Sequence, residues 1–230
     1  MKVSIIIPVL NEADNIARLL RRLQEGGGGH IAELLVVDGG STDDTVSLAK
    51  LAGAQVLQSP RCGRAVQMNF GAHHATGAVL YFVHGDTLPP LSYMTDVLTA
   101  VQEGYPIGGF RFRFESSNPL LRLNSFMTRF DFLWCRGGDQ SLFVTRPLFD
   151  ELEGYHEKYC IMEEYDFMIR ARQQHPFKII QKDTLISARK YRENGYFRVQ
   201  IANLIVFRMF RKGREPQEIL ATYRKLLNWR

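Results

Sequence analysis

The sequence predicts an α/β fold: a mostly parallel central sheet flanked by helices on both faces, with further helices at the C-terminus. Three observations carry this expectation. Apolar runs at Val3–Val9, Leu34–Val37 and Ala78–Val83 show no polar alternation, which marks strands buried on both faces. Stretches of helical periodicity separate them, giving β-α-β-α-β-α-β with right-handed crossovers. Each run ends abruptly in acids or turn residues, at Asn11-Glu12, at Asp38-Gly39-Gly40 and at His84-Gly85-Asp86.

The first strand ends in Pro8-Val9-Leu10-Asn11-Glu12, and a helix follows with Ile16, Leu19, Leu20 and Leu23 on one face. Asn11 or Asp14 is placed to cap that helix, and the glycines at 26–29 to end it. After Asp38-Gly39-Gly40, Ser41 and Asp44 have capping-box spacing for a helix that stops at Gly53. A short strand is expected at Gln55–Leu57. A helix from Gly63 to Ala75 then leads into the central run at Ala78.

In the second half, Phe110, Phe112 and Phe114 alternate with Arg111 and Arg113, the pattern of an amphipathic strand. Leu120–Trp134 reads as a helix, Gly137-Gly138-Asp139-Gln140 as a loop and Ser141–Val144 as a strand. Met162–Gln174 reads as a helix whose acidic first turn, Glu163, Glu164 and Asp166, suits the helix dipole. Phe177–Ile180 reads as the last strand, and helices at Gly195–Phe210 and Pro216–Trp229 close the chain.

A length of 230 residues with 45% hydrophobic content suits one domain with an ample core. The net charge of +5 leans toward anionic partners: nucleotides, nucleic acid or an acidic membrane surface. The positive charge is not gathered in one segment, which argues against a nucleic-acid-binding module. Cys62, Cys135 and Cys160 are an odd set without CxxC spacing, which fits a reducing cytosol better than a zinc site or disulfide framework. The N-terminus enters a strand at once, and no apolar run is long enough to cross a bilayer. A cytoplasmic location is therefore expected. Peripheral contact with the inner face of the membrane stays open through Gly195–Gly213, where Phe197, Val199, Ile201, Leu204, Ile205, Val206 and Phe207 sit beside Arg198, Arg208, Arg211 and Lys212. A helix packed on the domain, with its arginines in water, is the plainer reading.

In open α/β sheets ligands bind beyond the carboxyl ends of the strands, so three sets of acids and turn residues on one edge define a candidate site. Asp86 is placed to bind Mg²⁺ or Mn²⁺, because one carboxylate suffices when a diphosphate supplies the other oxygens. The alternative is a turn aspartate that stabilises its own loop. His84 is either a further ligand or a hydrogen-bonded strand-end histidine. Asp38 can accept a hydrogen bond from a base imide or ribose hydroxyl, or it can cap the segment at Ser41. Gly39 and Gly40 lack the Cβ that would hold a planar base away from the backbone. Arg61 and Arg64, just before a helix, are placed to pair with a diphosphate, or are solvated loop arginines. Glu163-Glu164-Tyr165-Asp166 offers a general base for group transfer to an alcohol. Asp139-Gln140 positions an acceptor or assists the leaving group, or is a plain turn.

At these residues the chain resembles the family 2 glycosyltransferases, whose nucleotide-sugar-binding fold, GT-A, is Rossmann-like. The likeness covers nearly the whole chain. Val3-Ser4-Ile5-Ile6-Ile7-Pro8-Val9-Leu10-Asn11-Glu12 resembles the family's opening strand and base-binding loop, which implies donor contacts at Pro8, Leu10, Asn11 and Glu12. Val36-Val37-Asp38-Gly39-Gly40-Ser41-Thr42-Asp43 resembles its second motif, whose aspartate contacts the base, here Asp38 beside Gly39. His84-Gly85-Asp86 sits where the family has DxD: Asp86 matches the metal-binding aspartate and His84 replaces the first acid. Glu163-Glu164 sits where many members have Glu-Asp, so the resemblance makes Glu164 the catalytic base, with Asp166 its rival. Gly63-Arg64-Ala65, Gln67-Met68-Asn69, Gly138-Asp139-Gln140 and Ser187-Ala188-Arg189-Lys190-Tyr191 resemble a subgroup of small, soluble members associated with arsenosugar-type gene clusters. A basic residue near the last strand steadies the diphosphate in related enzymes, which implies Arg189 here.

The resemblance implies one domain over residues 1–230, with a nucleotide-binding half at 1–110, an acceptor half at 111–190 and C-terminal helices at 191–230. It implies inverting, Mg²⁺- or Mn²⁺-dependent transfer of a sugar from a nucleotide diphosphate sugar to an unidentified hydroxyl acceptor. The segment Phe114–Gly138 is expected to fold over the donor. Two readings from other classes stay open. A nucleotidyltransferase usually has a basic glycine-rich loop after its first strand, and Pro8–Glu12 offers none. A non-catalytic nucleotide-sugar-binding protein is suggested by the altered DxD.

Overall fold

A computed structural model describes residues 1–135 and 141–227. The first half alternates as expected. Strands β1 (Val3–Val9), β2 (Ile31–Asp38), β3 (Gln55–Gln58) and β4 (Val79–Phe82) are joined by helices α1 (Ala13–Gly27), α2 (Thr45–Leu51) and α3 (Arg64–His74). All their mutual pairings are parallel. The continuous apolar runs have a simple cause. Alternate side chains of one strand enter two different cores, because successive residues point to opposite faces. Val3, Ile5, Ile7, Tyr81 and Val83 pack with Ile16, Leu19, Leu20 and Leu23 of α1. Ile6, Val37, Leu80 and Phe82 pack on the other side with Ala65, Met68 and Ala72 of α3.

The second half supplies β5 (Thr87–Leu88), α4 (Tyr93–Gln102), β6 (Ile107–Phe114), α5 (Pro119–Met127), β7 (Leu142–Thr145), α6 (Arg146–Glu151), α7 (Glu163–Ala171), β8 (Phe177–Ile186), α8 (Arg189–Asn194), α9 (Tyr196–Arg211) and α10 (Pro216–Leu226). The strand order is β3-β2-β1-β4-β7-β6-β8-β5. The sheet is mixed but mostly parallel. β7 runs antiparallel to both β4 and β6, so β6 regains the direction of β4, and β8 pairs with β6 in parallel. The carboxyl ends of β1, β2, β4, β6 and β8 therefore emerge on one edge.

Several local expectations are corrected. Neither Asn11 nor Asp14 caps α1: its N-cap is Glu12, with no side-chain cap bond. A missing cap costs about 0.5–2 kcal/mol, whereas each buried leucine or isoleucine of α1 contributes roughly 1.5–3 kcal/mol, so packing decides. Ser41 and Asp44 do not form a capping box for α2; Asp43 accepts instead from the Thr45 amide, at 3.0 Å. The expected helix at Leu120–Trp134 stops at Met127, where the Thr128 hydroxyl turns to accept from the Phe112 amide of β6, at 3.3 Å. The last strand runs six residues beyond Ile180, to Ile186. A register shift against β6 hides its polar second half, where Arg111 faces Asp183 in an ion pair of 2.8 Å. The loop at Gly137–Gln140, with the candidate Asp139, and Trp229 lie outside the described residues. No helix among the described residues is long and apolar enough to cross a membrane.

Candidate functional site

The tips of β1 and β2 are tied together before any ligand is considered. The Gly39 amide donates to the Val9 carbonyl at 2.9 Å, and the Gln67 amide nitrogen, from α3, donates to the Val9 and Val37 carbonyls at 2.9 and 2.8 Å. A Cβ on Gly39 would lie 3.1 Å from the Gln67 amide, so glycine is what lets this clamp close. Gln67 is a buried polar residue on the apolar face of α3, and that misfit is the sequence signal that could have singled it out. Gln67→Ala would take a donor from both carbonyls; Val9 keeps the Gly39 amide, so the cost falls chiefly at Val37, about 1–3 kcal/mol. The expected result is a fall of several degrees in the thermal unfolding midpoint; an unchanged midpoint would show that the clamp is dispensable.

Asp38 is buried, and its carboxylate accepts from the Gly40 amide at 3.0 Å and the Ser41 amide at 3.1 Å. Asn11, in a left-handed conformation with φ 54°, links the two tips: its side-chain oxygen accepts from the Thr42 amide at 2.8 Å, and its amide donates to Ser41 Oγ at 2.9 Å. Pro8 is buried in β1 opposite Val37, while Leu10 stands exposed beyond the strand end.

The β4 tip meets this rim directly. A Cβ on Gly85 would lie 2.9 Å from Glu12 Cγ, so the His84-Gly85-Asp86 turn seats against the β1 loop only because position 85 is glycine. Glu12 Oε2 accepts from Asn15 at 2.7 Å, and Glu12 Oε1 pairs with Arg189 Nη2 at 2.8 Å. That bond, together with the charges of Glu12, Asp86 and Glu193, holds the Arg189 guanidinium firmly protonated. Asp86, half-buried, thus lies within the field of Arg189.

The acid cluster of α7 divides. Met162, in a left-handed conformation with φ 71°, turns the chain so that Glu163 and Glu164 point inward. Glu164 Oε1 lies 3.0 Å from His84 Nε2, both side chains being buried, so the histidine in the DxD position is joined to the acid expected to be the base. Glu163 is buried beside them with Arg64 Nε 3.5 Å away, an ion pair too long for a hydrogen bond. Asp166 faces elsewhere, between His156 Nδ1 and Arg170 Nε, each at 2.9 Å. The Tyr155 hydroxyl, also buried, lies in the field of Glu164 and Glu163. A cavity of about 530 Å³ lined by Arg61, Asn69, Arg146 and Phe149 contains none of the rim acids.

Burial pushes the Glu163 carboxyl above its ordinary range against the opposing pull of Arg64, and the charge of Glu164 adds to the rise. The folded state then keeps a proton that the unfolded chain has already released. Its contribution to stability is complete below the ordinary carboxylate value and declines as pH rises through the interval up to the raised one. Glu163→Gln removes this titration. The unfolding midpoint of the wild type should therefore fall relative to that variant as pH rises from the carboxylate range toward neutrality; parallel curves would contradict the assignment.

The donor set available to a cation is sparse. Among the described residues no group of three or more histidine, cysteine, aspartate or glutamate side chains converges. Asp38 is engaged by two backbone amides and Glu12 by Asn15 and Arg189, which makes Asp86 the rim carboxylate best placed for a cation. That suits Mg²⁺ or Mn²⁺, hard ions that keep waters and phosphate oxygens as further ligands, and does not suit zinc.

Solved structures with the same architecture define the fold class. A mannosyltransferase from Pyrobaculum calidifontis, solved with GDP-Man and Mn²⁺, superposes with a TM-score of 0.70 at 18% identity, over 98% of this chain and 69% of that one. Glucosyl-3-phosphoglycerate synthase from Mycobacterium tuberculosis, solved with Mn²⁺, UDP and glucosyl-3-phosphoglycerate, gives 0.67 at 19% identity, over 93% and 80%. The fold is GT-A-like. The model of glycosyl transferase family 2 matches residues 4–162, and the chain belongs to that family. The match takes in the β1, β2 and β4 tips and ends one residue before Glu163. Among sequence relatives, the undecaprenyl-phosphate 4-deoxy-4-formamido-L-arabinose transferase of Klebsiella pneumoniae is 31% identical over 117 residues, 47% of this chain and 36% of that protein. Glucosyl-3-phosphoglycerate synthase of Mycolicibacterium smegmatis is 31% identical over 96 residues, 38% of this chain and 32% of its own length. The chain thus spans roughly a third of the curated relatives it matches.

Proposed function

We propose that this chain transfers a sugar, with inversion, from a nucleotide diphosphate sugar to an acceptor hydroxyl, aided by one divalent cation at Asp86. The observation that carries the reading is the convergence on one sheet edge of Asp38, Asp86 and, joined through His84, Glu164. Asp38 already holds two backbone amides and keeps acceptor capacity for a base imide, while Gly39 leaves the neighbouring backbone open to a ring. Pro8, Leu10 and Asn11 shape the floor beneath it. Glu12 acts at one remove, by holding Arg189 for the diphosphate; Arg64 is the second cation for that group, with Glu163 as its counter-charge. Mg²⁺ or Mn²⁺, when bound, neutralises the charge that builds on the departing diphosphate.

Glu164 takes the acceptor proton. His84 holds one of its oxygens and leaves the other for the hydroxyl. As the acceptor's hydroxyl oxygen, losing its proton to Glu164, bonds to the anomeric carbon, the bond to the diphosphate breaks on the opposite face. Asp166 is the weaker candidate because both of its partners, His156 and Arg170, tie it to the structure around α7. Asp139 is kept as a candidate for positioning the acceptor. Residues 1–110 serve the donor and residues 111–190 the acceptor, within one domain.

The relatives' names range from an undecaprenyl-phosphate arabinose transferase to a phosphoglycerate synthase and set no common acceptor. The narrower likeness to the arsenosugar-associated subgroup supplies a gene neighbourhood, not an acceptor. The exposed free thiols Cys62 and Cys160 suit a reducing cytoplasm. Incubation with a panel of nucleotide sugars tests the class of reaction. Slow release of nucleoside diphosphate is expected, by hydrolysis where the acceptor is missing. Pyrophosphate release from a triphosphate would mark a nucleotidyltransferase, and tight binding without turnover a sensor.

A further inference from the structure

Met1, Leu10, Leu51 and Leu91 are exposed singly, but the other large exposed apolar side chains fall in two stretches, residues 120–134 and 197–204. Leu123 and Phe126 of α5, Trp134 in the turn after it, and Phe197, Ile201 and Leu204 of α9 are each between 47% and 70% exposed. Ring contacts join the first group into a ladder from Phe126 through Phe130 and Phe132 to Trp134, with centroids 5.9, 6.2 and 5.8 Å apart. The two elements abut, because the Tyr196 hydroxyl at the start of α9 donates to Asn124 of α5 at 2.9 Å. The fold does not require the outer stripe of α9. Its inward positions, Val199, Ala202 and Val206, are already packed on Ile219 and Tyr223 of α10. The plainer sequence reading, a helix packed on the domain, holds for that inner face alone. An apolar surface of this extent on a folded chain marks a contact site.

Charge selects the occupant. Residues 194–214 carry Arg198, Arg208, Arg211, Lys212 and Arg214 and no acid, and residues 116–130 carry Arg122 and Arg129 and no acid. Asp131, inside the aromatic ladder, is paired with Arg172 at 2.6 Å. A second copy of the chain would bring these arginine-rich flanks against one another, since a two-fold interface sets like against like. An anionic bilayer complements both features: rings and aliphatic chains enter at the headgroup level, and the cations pair with lipid phosphates.

We propose that α5, the aromatic turn after it and α9 form a docking surface for an anionic phospholipid bilayer. α5 follows β6 and α8 follows β8, and both strands end on the edge that carries Asp86, so docking would set that rim beside the lipid surface. The test below reads lipid partition and not sugar transfer, so its outcome does not depend on the proposed function.

The test uses the full chain and sedimentation with vesicles. Partition onto phosphatidylglycerol-containing vesicles should exceed that onto pure phosphatidylcholine by about tenfold or more, and should weaken in high salt. The triple variant Phe197→Ser, Ile201→Ser, Leu204→Ser should lose about tenfold of the binding, with an unchanged unfolding midpoint because these side chains face solvent. Arg208→Gln with Arg211→Gln and Lys212→Gln should abolish the preference for anionic lipid. Negligible binding to both vesicle types, or a serine variant that binds like the wild type, would overturn the proposal. So would a dimer, seen by light scattering, that the serine variant splits.

Discussion

Glu164→Gln is expected to lower turnover by about a hundredfold or more while leaving donor affinity almost unchanged, the usual size of a lost general base. The substitution keeps the shape of the side chain and retains a carbonyl oxygen 3.0 Å from His84 Nε2, so the pairing that holds α7 against the β4 tip survives. Only the capacity to take a proton is lost. A hundredfold corresponds to about 2.7 kcal/mol of transition-state stabilisation. The assay is single-turnover transfer or donor hydrolysis, with donor affinity measured separately. The comparison that gives it meaning is Asp166→Asn. That variant removes the charge that His156 and Arg170 face, and should cost some stability while keeping most of its activity. If Asp166→Asn loses turnover and Glu164→Gln keeps it, the base has been assigned to the wrong acid of this helix.

Asp86→Ala is expected to remove the cation-dependent part of donor binding, and turnover with it. Among the described residues no group of three or more histidine, cysteine, aspartate or glutamate side chains converges to take its place. The fold should tolerate the change. Asp86 is half-buried, and its turn is held by the backbone bond from the Thr87 amide to the His84 carbonyl at 3.1 Å and by the seat of Gly85 on Glu12. Calorimetry with Mn²⁺ and with a chelator separates the terms: the wild type should lose affinity on chelation and the variant should show no difference. A variant whose affinity still responds to Mn²⁺ would place the cation elsewhere.

What could be read in the chain, and what could not, follows from the range of the interactions. β1, β2 and β4 were legible because both faces of each strand enter a core, which writes an unbroken apolar run into the sequence. The acids at their ends were legible because strand direction places them on one edge. The end of α5 was not, because it is set by the Ser125 and Thr128 hydroxyls reaching the amides of β6. The second half of β8 was hidden by a register shift that exposes Gln181 and Lys182. α4 and α6 went unread, although Tyr93, Met94, Val97 and Ala100 carry a helical period. Above all, the partners within the site lie far apart in sequence. His84 and Glu164 are 80 residues apart, and Glu12 and Arg189 are 177 apart. Residue type and position nominate His84, Glu12 and Glu164 singly, and the family resemblance nominates Arg189. Only the closed sheet shows that the histidine of the altered DxD holds the glutamate, and that Glu12 holds the arginine.

The central claim is that the joined strand tips grip a sugar-activating nucleotide through a cation, and thermal unfolding of the unmodified protein tests it most directly. With a panel of nucleotide diphosphate sugars and Mn²⁺, one member should stabilise the fold by about 2.7 kcal/mol at a hundredfold excess over its Kd, a shift of several degrees, and a chelator should abolish that shift. No stabilisation by any member with Mn²⁺ present, or a shift of equal size after chelation, would contradict it.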